Sequence, residues 1–136
     1  MQFTQEELSE LLKKPKPLNL AGFDLSKANL SGTDLSGAYL NASKLRYADL
    51  SGANLSDTNL SGANLHGANL SKADLSDANL TRIDLSGANL TNAHLNYVNL
   101  IDANLSGIDL SGAKYNKETK WPDGFDPEAA RAILES

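Results

Sequence analysis

Ala53-Asn54-Leu55-Ser56-Asp57 and Ala63-Asn64-Leu65-His66-Gly67 are two copies of a five-residue pattern that fills most of the chain. Leucine stands at every fifth position from Leu20 to Leu110, nineteen times without a gap. Tyr115 then puts an aromatic ring in the next such slot. With leucine as the centre, the residue two before it is usually Ala, and the one before it is usually Asn or Asp. Ser usually follows the leucine, and the next residue is often Gly.

The period selects the architecture by elimination. On an α-helix five residues advance about 140°, so the leucines would spread around the axis and form no stripe. In a straight strand an odd period sends alternate leucines to opposite faces. One shared interior requires the chain to turn once per pentad, with successive coils stacked like strands about 4.8 Å apart. Short fixed repeats of this kind belong to solenoids. The number of pentads per coil stays open on charge grounds. Three per coil would set Asp34 against Asp49, whereas four would stack Asp57 on Asp77.

Residues 18–117 resemble the pentapeptide-repeat family, whose A-(D/N)-L-x-x units form a right-handed, four-sided β-helix. The resemblance implies an all-β solenoid of about five coils, a rod of about 24 Å at strand spacing. It places leucines and the residues two before them inside, and the other three positions outside. Short α-helical caps are expected at both ends, dividing the chain into 1–17, 18–117 and 118–136.

In residues 1–17, Thr4-Gln5-Glu6-Glu7 fits a capping box, with Phe3 and Leu8 placed as a hydrophobic staple. Leu8, Leu11 and Leu12 form one apolar face, and Pro15 and Pro17 end the helix. Such a segment suits the cover of a β-helix end, whose unpaired backbone invites association. At the other end, Trp121-Pro122-Asp123-Gly124-Phe125 reads as a turn with two anchoring aromatics. Asp126-Pro127 fits N-cap and first helical position, predicting a helix to about Glu135 that lays Ala129, Ala130, Ile133 and Leu134 on the last coil. This tail resembles those of many cyanobacterial pentapeptide-repeat proteins.

Composition excludes several functions. The net charge is −5, but residues 18–117 hold nine acids against seven Lys and Arg, so the repeats are nearly balanced. No basic stripe marks a nucleic-acid binder. There is no cysteine, and no stretch approaches the ~20 apolar residues of a membrane span. With no leader evident, a cytoplasmic protein is expected. His66 and His94 sit in no metal-spaced cluster, and a rod of leucines offers no evident cleft to perturb its carboxylates. No catalytic residue, metal site or cofactor is therefore expected. Ice binding is disfavoured because only Thr81 and Thr91 supply methyl-bearing hydroxyls after leucine.

An interaction scaffold presenting flat faces to a protein partner is the preferred reading, as a monomer with no direct nucleic-acid or membrane contact. The resemblance adds an alternative, DNA mimicry toward gyrase, for which two net negative charges over the repeats are few. The candidate docking surface is where the outward residues depart furthest from the pattern. Tyr39 and Lys44 replace Asn or Asp, and Arg46 and Tyr47 replace Ser and Gly. In a four-sided coil Lys27 stacks on Tyr47, and Asp24 on Lys44. Lys27 with Tyr47 could equally be an exposed cation–π pair that only stiffens the surface.

Overall fold

The computed structural model describes residues 1–135. Its register answers the question that periodicity leaves open. Parallel bridges join each residue before a leucine to the residue twenty positions on, from Asn19↔Tyr39 through Asn54↔Asp74 to His94↔Lys114. Four pentads therefore complete one coil. The leucines at the centres are buried, almost all of them at 0–1% exposure, and they share the interior with the alanines two residues before them. Each buried leucine contributes about 1.5–3 kcal/mol before ordering entropy is charged against it.

A single pentad shows why the fold tolerates so much backbone in so little space. In residues 63–67 all five backbone N–H groups find acceptors. Ala63 N donates to Leu60 O (3.1 Å), closing a turn around the leucine of the pentad before it. Asn64 N donates to Ser43 O in the preceding coil (2.9 Å). Leu65 N and Gly67 N donate to Asp84 O (2.7 Å) and Ser86 O (3.0 Å) in the following coil. His66 N is taken by the Asn64 side chain (Oδ1, 3.0 Å). That last bond explains the preference for Asn or Asp before leucine, since the side chain supplies the acceptor that backbone geometry leaves out.

The turn also fixes the residue type two places after leucine. Every such position from Gly22 to Gly112 has positive φ, whether the residue is Gly or, as at Lys27, Ala42, Tyr47 and Asp57, is not. Glycine is common there because an L side chain in the left-handed region costs ~1–2 kcal/mol. Polar residues that enter the interior bond back to the chain at once. Ser43 Oγ donates to Leu40 O (2.6 Å) and Thr58 Oγ1 to Leu55 O (2.8 Å).

The N-terminal segment carries a helix where the sequence predicts one. Helix α1 spans Gln5–Leu12, with Thr4 as N-cap and a full Thr4/Glu7 capping box. Leu8 is fully buried, and Phe3 packs on Phe23 with ring centroids 5.3 Å apart. The carbonyls of the first coil have no coil above them, and donors from this segment meet three of them. Gln2 N bonds Asp24 O (2.7 Å), Gln5 Nε2 bonds Asn29 O (3.3 Å), and Lys16 Nζ bonds Asp34 O.

At the C-terminal end the expected helix is replaced by a further pass of β structure. Residues 127–131 make turns only, opened by Asp126, whose carboxylate accepts from Glu128 N and Ala129 N (3.0 and 3.2 Å). Arg131 then takes φ +68°, as a repeat turn does, and the chain rejoins the ladder. Strand β1, Lys114–Tyr115, pairs in parallel with β2, Ile133–Leu134. Ala132 is buried, whereas Ile133 and Leu134 are half exposed. One extra residue after Tyr115 shifts the count, so Asn99 pairs with Lys120 and Thr119 takes the inner position. Trp121 follows in the centre slot, edge-on to Tyr115 and stacked on Phe125.

Two outcomes follow from this backbone. Ala42→Gly, at φ +58°, should stabilise the chain by ~0.5–1 kcal/mol once the added freedom of the unfolded state is subtracted. Gly52→Ala, at φ +65° with no heavy atom within 4 Å of the new Cβ, should destabilise it by about 1 kcal/mol. Chemical denaturation with an unchanged m-value measures both, and shifts of the same sign would show that φ does not govern these sites.

A third outcome concerns acid. The Ser51 hydroxyl and backbone N–H hold the Asp49 carboxyl below its ordinary value of 3.8, and Ser36 does the same for Asp34. A depressed carboxyl contributes stability above that ordinary value and loses it as pH falls through the lower folded value. Asp49→Asn keeps the acceptor and removes the titration, so its melting temperature should fall less steeply on acidification. Superimposable acid limbs for the variant and the parent chain would refute the linkage.

Candidate protein-docking surface

The four faces differ little except where the pattern is broken. Tyr39 lies on the face that carries Asn19, Asn59, Asn79 and Asn99. Lys44 lies on the next face, between Asp24 in the preceding coil and Asn64 in the following one. Arg46 and Tyr47 form the turn that leaves that second face. Lys27 N donates to Arg46 O (2.9 Å) and Tyr47 N to His66 O (2.9 Å), which places Lys27, Tyr47 and Gly67 in one column. The structure thus brings Lys44, Arg46 and Tyr47 together and leaves Tyr39 one face away. Tyr39 and Tyr47 are both about half exposed, at 49% and 53%.

The cation over Tyr47 differs from the one predicted. Arg46, its chain neighbour, stands with Cζ 5.7 Å from the ring centre, so the Lys27–Tyr47 cation–π pair is not what holds the ring. The ring instead leans toward the following coil. It meets His66 edge-on, at 5.4 Å and 84°, and covers Gly67 so closely that a Cβ there would lie 2.5 Å from a ring carbon. His66 Nδ1 is 2.8 Å from Ser86 Oγ, which donates to Asp84 Oδ1 at 2.6 Å. Burial alone would raise the Asp84 carboxyl, but bonds from the Ser86 hydroxyl and N–H outweigh it, helped by the His66 and Arg46 charges. Asp84 therefore titrates below its ordinary value.

His66, Ser86 and Asp84 escape a sequence reading because they lie on later coils than Tyr47. Given a twenty-residue coil, the spacing 46–66–86 is the signal that would have found them. Aligned with carboxylate, hydroxyl and imidazole, the trio resembles a hydrolytic relay in composition only. It sits on an outer corner of the coil, and Asp84 bonds the hydroxyl in place of the imidazole. Among the described residues no group of three or more His, Asp or Glu is placed to hold a metal ion, and Asp57 and Asp77 stack in register as a pair. An open groove of about 380 Å³ lies at the C-terminal end, lined by residues 103–106 and 122–125, with Asp123 as its only ionisable group. Among the described residues no helix is long and apolar enough to cross a membrane.

A family model for pentapeptide repeats matches in eight copies over residues 18–46, 38–77 and 73–112. Among solved structures, a pentapeptide-repeat protein of Nostoc Pcc 7120 is 36% identical, with 96% of this chain and 94% of that one covered and a TM-score of 0.33. One from the Arabidopsis thaliana thylakoid lumen is 30% identical over 86% and 73%, with a TM-score of 0.47. Another, Rfr23 of the cyanobacterium Cyanothece 51142, is 41% identical over 80% and 67%, with a TM-score of 0.27. No curated protein matches the chain. The repeat match, the twenty-residue register and the buried leucine column agree, and the chain belongs to the pentapeptide-repeat family of right-handed quadrilateral β-helices.

Proposed function

We propose that this chain is a non-enzymatic scaffold whose partner protein docks on the corner and faces around Tyr39, Lys44, Arg46 and Tyr47. The observation that carries the reading is the way Tyr47 is held. A tyrosine at φ +58° stands where the repeat prefers glycine, half exposed yet fixed between Arg46, His66 and Gly67. Strain kept at an exposed aromatic motivates a functional reading. Tyr and Arg are also the types in which binding energy concentrates, and a ring already fixed loses little freedom on docking. Pentapeptide-repeat proteins are in general structural or interaction proteins rather than enzymes. DNA mimicry fits less well, because the outward departures here add cations to a rod that is nearly neutral.

The rod itself we read as about five coils, closed at its amino end by α1 and at its carboxyl end by residues 118–135, and monomeric. Removing residues 119–136 should uncover the last coil and cause association, seen by light scattering. A truncated chain that stays monomeric and soluble would show that this tail is no closure.

Tyr39→Asn, Arg46→Ser and Tyr47→Gly together restore the local repeat, so folding should be retained. Binding to a partner captured by the parent chain from its native host should fall at least tenfold, the loss of one or two anchor residues. Unchanged affinity with an intact melt would place the docking surface elsewhere.

A further inference from the structure

Resting on that docking reading, we propose that the partner segment recognised at this corner is acidic: an extended run of Asp or Glu laid across Lys27, Lys44 and Arg46, beside the Tyr47 ring. The first ground is charge. All three cations are exposed, and among the described residues none has a carboxylate within 4.0 Å, where the ion pairs are Lys13–Glu10 and Lys16–Asp34. Lys27 and Arg46 are joined through the backbone in adjacent coils, and Lys44 lies two residues before Arg46. Three of the seven Lys and Arg residues of the repeats thus fall on one corner and the face beside it.

The neighbouring acids are already engaged. The Asp24 carboxylate accepts from Ser26 N (3.0 Å), and that of Asp84 accepts from both the N–H (2.9 Å) and the hydroxyl (2.6 Å) of Ser86. Asp49, which opens the next face, is held by the Ser51 N–H and hydroxyl (3.0 and 2.6 Å). Turn bonds leave these carboxylates ionised but fix them close to the backbone, and none comes within 4.0 Å of the lysine and arginine donors.

The second ground is the position of Arg46. Its guanidinium lies against the Tyr47 ring, which orders the side chain without consuming its five N–H donors, a geometry suited to bidentate capture of a carboxylate. A nucleic acid would present a similar sign of charge. It is disfavoured because the chain as a whole carries −5 and no basic stripe continues along the rod beyond this corner.

The test uses the full chain, isotope-labelled for amide NMR, titrated with a peptide alternating Glu and Ser. Matched probes are a peptide alternating Lys and Ser and a single-stranded oligothymidylate. Expected are amide shifts confined to residues 24–27, 44–47 and 66–67, seen with the Glu peptide alone and weakened as salt is raised. Lys27→Gly, Lys44→Asn and Arg46→Ser together restore the repeat and should weaken the Glu peptide about tenfold with a melting temperature no lower than the parent chain's. Shifts elsewhere, equal binding of the Lys peptide, tighter binding of the oligothymidylate, or an unaffected variant would overturn the inference. A native partner lost with the Tyr39/Arg46/Tyr47 variant while the Glu peptide fails to bind would leave the docking site standing and remove only its acidic specificity. Glu peptide bound at the corner while that variant keeps its native partner would uphold the acid site and remove the docking reading.

Discussion

Everything in this molecule depends on closing one turn per pentad without stranding a backbone N–H. Within residues 63–67 two N–H groups reach the following coil, one reaches the preceding coil, one closes the local turn and one meets the Asn64 side chain. Only then can the leucine point inward at every fifth residue, because the turn rotates the chain by one side of the square each time. Side-chain packing and backbone pairing are thus the same constraint seen from inside and outside. A leucine out of phase would remove both a core contact and a ladder bond. Orphaned buried amides cost as much as lost packing, so the repeat is strict.

The ends show what such a ladder requires when there is no next coil. At the amino end the donors of Gln2, Gln5 and Lys16 replace those of a missing coil, over three of the four sides. At the carboxyl end the chain itself supplies partial replacements, with Lys120 completing one side and Ile133 another. Tyr115 keeps the regular spacing, and after one extra residue Trp121 takes the next slot that leucine holds elsewhere. Tyr115, Trp121 and Phe125 are too large for a narrow stacked coil, but they fit a terminus where one side is open.

How much of this was legible in the chain follows from which distances matter. The inward leucines, the glycine turns and the capping box at Thr4 depend on residues within five positions of each other, and reading them needs no partner strand. The twenty-residue register does not follow from a five-residue period, and charge patterning could not choose it. The family resemblance chose it. The tail misleads because Asp126-Pro127 is a true helix start signal that operates for one turn, after which pairing of Ile133 and Leu134 with β1 outweighs local helix propensity. The candidate corner was half visible. Arg46 and Tyr47 break the pattern where they stand, whereas His66 and Ser86 look ordinary until the coil length sets them beneath the ring.

A rod built this way separates stability from recognition along the chain. Two of every five residues face the core and two more are bound by turn geometry or the side-chain acceptor role, so the repeat leaves few positions free to vary. Substituting Arg for Ser after leucine, or Lys for Asn before it, sacrifices one turn bond and leaves the interior untouched. Lys44 shows the cost: with no side-chain acceptor before Leu45, Arg46 N lacks the bond that His66 N receives from Asn64. Tyr47 adds the penalty of a left-handed backbone for a bulky residue, only partly offset by its contact with His66. Two consecutive pentads that weaken their own turns gain nothing for the fold, whose core leucines at 40 and 45 are as buried as any others. A smaller departure of the same kind recurs at His94 and Tyr97, where the tyrosine again takes positive φ and stands exposed, and both are positions at which the ladder gains nothing from the residue it carries.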